Sequence, residues 1–342
     1  MKLLITGGCG FIGTNFAEYF SKQGWSVTVL DNLSRKGSTE NRAWLNETYP
    51  NIRFVQADIR TDIPILEEEV VKHDVVFHLA AQVAVTTSVQ NPREDFEINV
   101  VGTLNLLEAI REKQVNPVLV YASTNKVYGG MEDVVIVQEG ERYIYRDLPE
   151  GIPENRLLDF HSPYGCSKGT ADQYIRDYAR IYGLKTVVFR QSCIYGPRQY
   201  GVEDQGWIAW FTIAALMNRP ITIYGDGKQV RDVLHVDDLA RAYETAVEKI
   251  DEIKGQVYNI GGGPDNALAI KEVFPMLEKF LGRNVAYTHG DWRPGDQPVY
   301  VSDIRKAERE LEWSPKIGPE EGVRTLFAWC QEHKADFEKL GF

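Results

Sequence analysis

The chain has 342 residues, of which 43% are hydrophobic and 25% are charged, so it suits one large or two smaller globular domains with a sizeable core. Its formal net charge of −11 disfavours non-specific binding of nucleic acid, which depends on a basic surface. The apolar runs fall short of the ~20 residues that span a membrane, so no membrane partner is expected.

The cysteines are Cys9, Cys166, Cys193 and Cys330, and they lie far apart in the chain. Neither they nor the histidines have the spacing of metal ligands. We therefore expect reduced thiols, no metal site and a cytoplasmic protein. The first strand is expected from about Lys2, which leaves no room for a signal peptide.

Short apolar strands alternate with amphipathic helices in the first half of the chain. Apolar residues on both faces of a strand are typical of a parallel sheet that is covered by helices on each side. The fold class predicted is α/β, a doubly wound parallel (Rossmann) sheet followed by a smaller C-terminal α/β substrate-binding portion. Strands are predicted at 3–5, 27–30, 52–55, 75–79, 118–121 and 186–189, and helices at 11–22, 93–113 and 164–182.

Residues 129–160 lack periodicity and hold several charges and prolines, which predicts an irregular excursion beside the site. Beyond about residue 190 the strands become shorter and turn residues denser. A helix is predicted from Val236 and a strand at 256–260.

These patterns predict two domains. Residues 1–190, with a returning segment at about 230–262, are assigned to a dinucleotide-binding Rossmann domain. Residues 191–229 and 263–342 are assigned to a substrate-binding domain.

A glycine-rich turn, Gly7-x-x-Gly10-x-x-Gly13, joins the first strand to the first helix. One glycine permits the tight turn, one lets the backbone approach a pyrophosphate, and one allows close helix packing. The N–H groups of Phe11 and Ile12 would face the phosphates. Because the turn lies inside a βαβ unit, it predicts dinucleotide binding rather than a simple strand–helix turn.

Asp31 ends the second strand, where a carboxylate accepts hydrogen bonds from ribose hydroxyls and repels a 2′-phosphate. This favours NAD over NADP, although Arg35 lies close enough to accommodate a phosphate. Asp58 and Ile59 are expected at the adenine edge, with an ordinary loop acid as the alternative for Asp58. The other predicted cofactor contacts are Asn32, Ser34, Leu79, Ala80, Ala81, Gln82, Asn99 and Ser123.

Tyr164 and Lys168 carry the chemistry that we expect. Four residues apart on a helix, they share a face, and an ammonium near a phenol lowers the pKa of the phenol. A phenolate can take a proton from a hydroxyl while a bound dinucleotide takes the hydride from the same carbon. Thr124, at the end of a strand, would hydrogen-bond the reacting oxygen. The catalytic prediction is therefore Tyr164, Lys168 and Thr124, with Tyr164 and Lys168 also contacting the cofactor.

Arg231 and Arg293 are candidates for binding a diphosphate, because a guanidinium group can bind phosphate through two hydrogen bonds. Surface ion pairs with the adjacent Asp232 and Asp296 are the alternative for these arginines.

The glycine turn, the Thr124–Tyr164–Lys168 set and residues 231–238 resemble the extended short-chain dehydrogenase/reductases that act on nucleotide sugars. The resemblance covers nearly the whole chain. It implies an NAD cofactor, a nucleotide sugar in the second domain, and a homodimer or homotetramer.

Within that family, segments 31–37, 82–88, 123–129, 158–168 and 204–207 are most similar to epimerases that invert C2 of a CDP-linked deoxyhexose through a 2-keto intermediate. The resemblance implies a CDP-sugar substrate, tightly bound NAD and a role in lipopolysaccharide biosynthesis. Ala81 and Pro197 depart from the family pattern, where glycine is usual. The predicted substrate contacts are Gln82, Thr124, Asn125, Lys126, Ser162, Gln205, Arg231 and Arg293.

Related activities are distinguished by the residues after Thr124. Dehydratases of the family place an acid there, because elimination of water needs a general acid, whereas this chain has Asn125 and Lys126. Dehydration is therefore not expected. A UDP-sugar 4-epimerase, a net nucleotide-sugar oxidoreductase and a non-catalytic NAD-binding protein remain open.

Overall fold

The structure, a computed structural model, describes residues 1–293 and 296–342. Strands and helices alternate through most of this length. The strands are β1 (Lys2–Thr6), β2 (Ser26–Asp31), β3 (Arg53–Gln56), β4 (Val75–His78), β5 (Val118–Thr124), β6 (Ile136–Glu139), β7 (Arg142–Tyr145), β8 (Thr186–Gln191), β9 (Ile194–Tyr195), β10 (Thr222–Tyr224), β11 (Val230–Asp232), β12 (Leu234–His235), β13 (Val257–Ile260), β14 (Ala267–Ala269), β15 (Thr288–Gly290) and β16 (Val299–Tyr300).

The helices lie between these strands. They are α1 (Phe11–Lys22), α2 (Ser38–Thr48), α3 (Ile63–Lys72), α4 (Val85–Gln90), α5 (Pro92–Phe96), α6 (Gly102–Glu112), α7 (Ser162–Tyr182), α8 (Trp207–Leu216), α9 (Val236–Glu248), α10 (Ile250–Ile253), α11 (Val273–Leu281), α12 (Arg305–Leu311), α13 (Pro319–Glu332) and α14 (Lys334–Lys339). A π-helical turn at Glu97–Val101 joins α5 to α6, so the helix predicted over 93–113 is widened near its middle. Every helix of the described residues is too short or too polar to cross a membrane.

A seven-stranded sheet forms the centre of the molecule, in the order β13-β8-β5-β4-β1-β2-β3. All its pairings are parallel. The chain runs outward from β1 to β3, then returns to the other side of β1 and continues through β4, β5, β8 and β13. This confirms the predicted doubly wound parallel sheet.

Two apolar layers cover the faces of this sheet, because successive side chains of a strand point to opposite sides. Leu3 and Ile5 of β1 belong to the layer that contains Phe16 of α1 and Tyr243 of α9. The rings of Phe16 and Tyr243 pack edge to face with centroids 4.7 Å apart. Leu4 belongs to the opposite layer, which α3, α6 and α7 cover. The helices are thereby fixed against the strands whose ends form the site.

The prediction that residues 129–160 are irregular is wrong for part of this segment. Strands β6 and β7 form an antiparallel hairpin, with Gly140 in its turn at φ +58°. The hairpin packs on the second half of the chain, where the Tyr145 hydroxyl donates to the Val299 carbonyl at 2.9 Å. Its strands are largely half-exposed and stabilised by partners distant in the sequence, so the local pattern did not reveal them.

The second half of the chain contains smaller sheets and a separate apolar cluster. β11 pairs with β14 and β16, β10 pairs with β15, and β9 pairs with β12. The cluster is built mainly by α8, α11 and α13, with Phe211, Phe274 and Leu326 among its buried side chains. The strand predicted at 256–260 is found as β13, which returns to the main sheet beside β8.

Candidate active site

A cleft opens at the carboxyl ends of the central strands, where the strand order reverses between β1 and β4. Open α/β sheets bind their ligands at this position. Gly7, Asp31, Leu79 and Ser123, which follow or end four neighbouring strands, all line it. We call this space the strand-end cleft.

The glycine turn forms a backbone wall of the cleft. Gly7 has φ +70°, and a Cβ atom there would lie 2.7 Å from the backbone nitrogen of Ala80. A Cβ atom on Gly13 would lie 2.4 Å from the Gly7 carbonyl oxygen. Helix α1 follows Gly10 directly, so its first N–H groups point towards the cleft. The turn is therefore shaped to bring backbone donors close to a phosphate.

Asp31 lies buried at the other end of this wall. Its carboxylate accepts hydrogen bonds from the backbone nitrogens of Cys9 at 3.0 Å and Leu33 at 2.7 Å. Burial raises the pKa of Asp31, while these two N–H groups and the charge of Arg35 lower it. Arg35 donates to the side-chain oxygen of Gln205 at 2.6 Å, which links two walls of the cleft.

Asp58 lies beside Asn32 on the same side of the cleft. The Asn32 amide donates to the Asp58 carboxylate at 3.0 Å, and Arg60 forms an ion pair with Asp58 at 2.7 Å. Arg60 holds the pKa of Asp58 down at about 2. Asp58 is thus a charged group that orders its own loop and also faces the cleft, so both interpretations of this residue fit its position.

Most of the predicted cofactor residues line the strand-end cleft. Those that do are Gly7, Gly10, Phe11, Ile12, Gly13, Asp31, Asn32, Ser34, Arg35, Asp58, Ile59, Leu79, Ala80, Ala81, Ser123, Tyr164 and Lys168. Gln205, predicted to contact substrate, lines it as well.

Gln82 and Asn99, also predicted to contact the cofactor, do not line the cleft. The Asn99 side chain accepts from the backbone nitrogen of Gln82 at 2.9 Å and donates to the hydroxyl of Ser167 at 2.9 Å. The Gln82 amide nitrogen donates to the carbonyl of Ala84 at 2.8 Å, within its own loop. In this structure the two residues position the loop after β4 and the start of α7.

Tyr164 and Lys168 lie on the buried face of α7 and point into the inner end of the cleft. The start of this helix is fixed by Ser88, whose hydroxyl accepts from the backbone nitrogen of Tyr164 at 3.1 Å. The Lys168 amine donates to the carbonyl of Ala122 on β5 and lies 4.2 Å from the centre of the Tyr121 ring. Helix α7 thus brings both residues to the end of β5.

The structure differs from the expected electrostatics of this pair. Burial raises the pKa of Tyr164 to about 12, while a hydrogen bond with Thr124 and the charge of Arg35 act to lower it. Burial also lowers the pKa of Lys168 to about 7, although Asp172 and Asp95 oppose that shift. Desolvation dominates at both groups because they lie inside the protein, and Lys168 is not among the groups that shift the pKa of Tyr164.

A buried ion pair stands behind the catalytic candidates. The Arg190 guanidinium contacts the Asp172 carboxylate at 2.9 Å, and both side chains are almost fully buried. Asp172 also accepts from the hydroxyl of Ser123 at 2.9 Å. Arg190 donates to the hydroxyl of Tyr128 at 3.1 Å, and Tyr128 in turn donates to Asn259 on β13 at 2.7 Å. The network ties α7 to three strands of the main sheet.

Thr124, Asn125 and Lys126 follow one another where β5 ends and a single 3₁₀ turn begins. The Thr124 hydroxyl accepts from the backbone nitrogen of Lys126 and donates to the side chain of Asn125, both at 3.3 Å. The hydroxyl of Ser162, another predicted substrate contact, accepts from the backbone nitrogen of Gly165 at 3.2 Å.

The two candidate diphosphate ligands have carboxylate partners in this structure. Arg231 is buried and pairs with Asp296 at 2.7 Å, whereas the alternative interpretation expected a surface pair with the adjacent Asp232. Arg293 pairs with Asp204 at 3.2 Å and lies over the ring of Tyr224, 3.9 Å from its centre. Asp204 likewise differs from Asp296, the adjacent aspartate that the alternative named for Arg293.

Sequence reasoning missed several residues of the cleft. Arg198 lies over the ring of Trp44, 3.2 Å from its centre, and Asn41 donates to the carbonyls of Cys9 and Arg198. Gly37 precedes α2 with φ +88°, a conformation that favours glycine. This glycine could have indicated that the start of α2 reaches the cleft. The lining residues that were missed are Cys9, Leu30, Lys36, Ser38, Asn41, Ala57, Val83, Ile98, Ala122, Gln191, Arg198, Gln199 and Tyr200.

Within residues 1–293 and 296–342, the structure contains no cluster of three or more His, Cys, Asp or Glu side chains that could hold a metal ion. The cysteines of these residues are all free thiols.

Comparisons with known proteins agree with this architecture. Residues 3–261 match the family described as the NAD dependent epimerase/dehydratase family. The chain is 49% identical to a CDP-paratose 2-epimerase of Salmonella typhi, over 96% of this chain and 99% of that protein. A crystal structure of a UDP-glucose 4-epimerase of Thermus thermophilus in complex with NAD is 33% identical, with a TM-score of 0.81 over 97% of this chain and 99% of that one.

A third relative carries out a different reaction on the same fold. The crystal structure of a dTDP-glucose 4,6-dehydratase from Streptomyces venezuelae, with NAD bound, is 31% identical and has a TM-score of 0.84 over 99% of this chain and 100% of that chain. The likeness in both sequence and structure extends over nearly the full length of each chain. This chain therefore belongs to the NAD dependent epimerase/dehydratase family.

Proposed function

We propose that this protein is an NAD-dependent epimerase that inverts C2 of a CDP-linked deoxyhexose, converting CDP-paratose to CDP-tyvelose. The observation that carries the proposal is that Tyr164 and Lys168 line the strand-end cleft together with the glycine turn and Asp31, with Thr124 near enough to lower the pKa of the Tyr164 phenol. It occurs in a chain that is 49% identical to a CDP-paratose 2-epimerase over almost its full length. The proposed division into a Rossmann domain (1–190 and 230–262) and a nucleotide-sugar domain (191–229 and 263–342) rests on the same likeness.

The residues of the cleft fit an NAD cofactor. The glycine turn offers backbone donors for the pyrophosphate, and Asp31 offers a fixed carboxylate for a ribose. When bound, NAD supplies a reversible acceptor for the two electrons and the hydrogen that leave C2. Since the same electrons return to C2 on its other face, the reaction needs no external oxidant.

Tyr164 is proposed to remove the proton of the C2 hydroxyl and to return it after the 2-keto sugar has turned over. Thr124 is proposed to hold the reacting oxygen, because its hydroxyl lies near enough to the phenol to lower the pKa of Tyr164. Lys168, on the same face of α7 and in the lining of the cleft, would hydrogen-bond the cofactor. A buried phenol with a pKa of about 12 needs further positive charge in the cleft to ionise near neutral pH, and an oxidised nicotinamide carries that charge.

Dehydration is not supported by the residues beside Thr124. Elimination of water needs an acid for the leaving hydroxyl, and the next two side chains are an amide, Asn125, and an amine, Lys126. A UDP-sugar 4-epimerase is the alternative, supported by the 33% identity with the Thermus enzyme. A net nucleotide-sugar oxidoreductase would use the same catalytic residues but consume the cofactor.

We also propose a homo-oligomer, most simply a homodimer. Phe96 of α5 and Tyr174 and Ile181 of α7 are large side chains exposed on the outer helices. A second copy covering this surface would bury their apolar area. A homotetramer would need a second contact, which sedimentation would detect. A cytoplasmic location and a role in lipopolysaccharide biosynthesis rest on the resemblance to the CDP-sugar epimerases.

The deciding experiment is proton NMR of the purified protein with CDP-paratose and no added cofactor. We expect a new anomeric signal with the small H1–H2 coupling of a manno configuration, which requires both C2 inversion and retained NAD. An unchanged spectrum from protein that contains NAD would contradict the CDP-paratose assignment and favour tests of UDP sugars. A steady rise in the absorbance of reduced nicotinamide would instead indicate a net oxidoreductase.

A further inference from the structure

Lys126 places a positive charge next to the reacting centre. Its backbone nitrogen donates to the hydroxyl of Thr124 at 3.3 Å, so its side chain leaves the chain directly beside the proposed catalytic threonine. The amine donates to the side-chain oxygen of Gln297 at 3.2 Å. Gln297 is buried and its amide donates to the carbonyl of Gly129, which holds it in place.

The surroundings of this amine carry surplus positive charge. Lys126 faces Arg231, which is buried, and both act on the carboxylate of Asp296. Burial and the charge of Arg231 lower the pKa of Lys126 to about 8. Two cations that share one carboxylate leave room for an anion, because a second negative charge would relieve their repulsion. We call these four residues (Lys126, Arg231, Asp296 and Gln297) the Lys126 cluster.

The position of the reacting carbon decides where that anion must lie. In a nucleotide sugar, C2 adjoins the anomeric carbon that carries the diphosphate, whereas C4 lies across the ring from it. When Thr124 and Tyr164 act on C2, the sugar-linked phosphate must therefore lie close beside them. When they act on C4, the same phosphate lies a ring width away. A cation held next to Thr124 suits the first arrangement.

We propose that Lys126 binds the sugar-linked (β) phosphate of the nucleotide sugar and thereby presents C2, rather than C4, to Thr124 and Tyr164. Lys126 is thus a specificity-determining residue, and this inference rests on the proposed C2 chemistry. Arg231 lies on the far side of the same anion and shares its charge. Gln297 holds the amine within the cluster.

The test compares CDP with CMP, because CMP lacks the β-phosphate. We expect Lys126→Met to weaken CDP binding about 100-fold by calorimetry while leaving CMP binding within about twofold of the unchanged protein. Lys126→Arg should recover most of the CDP affinity, since it restores the charge. Turnover of CDP-paratose should fall in Lys126→Met, and its NAD content and melting temperature should remain normal.

Lys228→Met is the matched control, because Lys228 pairs with Glu141 at 3.7 Å, outside the cluster. It should change neither nucleotide affinity. If Lys126→Met binds CDP normally, or loses CMP and CDP equally, the assignment of Lys126 to the β-phosphate is wrong while the proposed function stands. If the unchanged protein binds CDP through Lys126 but does not epimerise CDP-paratose, the proposed function fails and the C2 placement fails with it.

Discussion

The strand-end cleft and the Lys126 cluster are built in different ways. The cleft takes its walls from the ends of neighbouring parallel strands, so the hydrogen bonds of the sheet fix Gly7, Asp31 and Ser123 relative to one another. The Lys126 cluster joins the turn after β5, a strand of the main sheet, to β11 and to the segment before β16, which belong to a second sheet. One region is positioned by backbone pairing and the other by side-chain packing across the fold.

This difference has consequences for charge. Asp31 and Asp172 on the sheet side have several partners, as buried carboxylates require. The Lys126 cluster instead holds two cations against one carboxylate. We therefore expect substitutions in the sheet region to affect catalysis, stability and cofactor binding, and those in the cluster to affect substrate affinity.

The largest effect is expected at the catalytic tyrosine. Tyr164→Phe removes the proton acceptor while keeping the buried ring, so turnover should fall by about 10²–10⁴-fold. The NAD content of the purified variant, measured after denaturation, should be unchanged. A rate close to that of the unchanged protein would contradict the proposed role of Tyr164.

The next effect concerns stability in the sheet region. Asp172→Leu leaves the buried Arg190 charge without its carboxylate and should lower the free energy of unfolding by about 3–5 kcal/mol in denaturant titrations. Adding Arg190→Met should recover much of this loss. Arg146→Met, at an exposed pair with Asp147, is the control and should have little effect. If Asp172→Leu and Arg146→Met lowered the free energy of unfolding equally, the buried pair would be no more important for stability than the exposed one.

A smaller effect is expected at the glycine turn. The Cβ atom of Gly13→Ala would lie 2.4 Å from the Gly7 carbonyl oxygen, so the turn must shift away from the phosphate position. Affinity for NAD should fall about 10–100-fold, which corresponds to the usual cost of overpacking. Gly318→Ala has open space around its Cβ and should bind NAD normally. Normal affinity in Gly13→Ala would show that the turn does not approach the cofactor.

The smallest effect is a pH dependence of the Lys126 cluster. The protonated amine binds phosphate, so CDP affinity should be nearly full below about pH 7, fall through pH 8 and be up to about tenfold lower at pH 9. Burial raises the pKa of the neighbouring Cys193 thiol, which stays neutral over this range. Calorimetry across this range should show the change in the unchanged protein and a flat profile in Lys126→Met. A matching pH dependence in that variant would assign the titration to another group.

Local sequence patterns predicted much of the sheet region, because each of its strands and turns can be recognised from residues that are neighbours in the chain. The apolar strands, the glycine turn and Asp31 each follow from a few neighbouring residues, and the sheet then brings their ends together. The same patterns missed the hairpin β6–β7 and Asn41, whose partners lie far away in the chain. The cofactor contacts predicted for Gln82 and Asn99, which hydrogen-bond each other and do not line the cleft, stay predictions.

The sequence by itself determined the parallel sheet, the turn for a phosphate and the Tyr164–Lys168 face of one helix, because strand and helix periodicities are local. Only the tertiary structure decided that burial, rather than the charge of Lys168, controls the pKa of Tyr164. It also decided that Lys126 meets Arg231 and Asp296. Desolvation and charge pairing depend on groups brought together from distant segments, and no local pattern of residues encodes those distances.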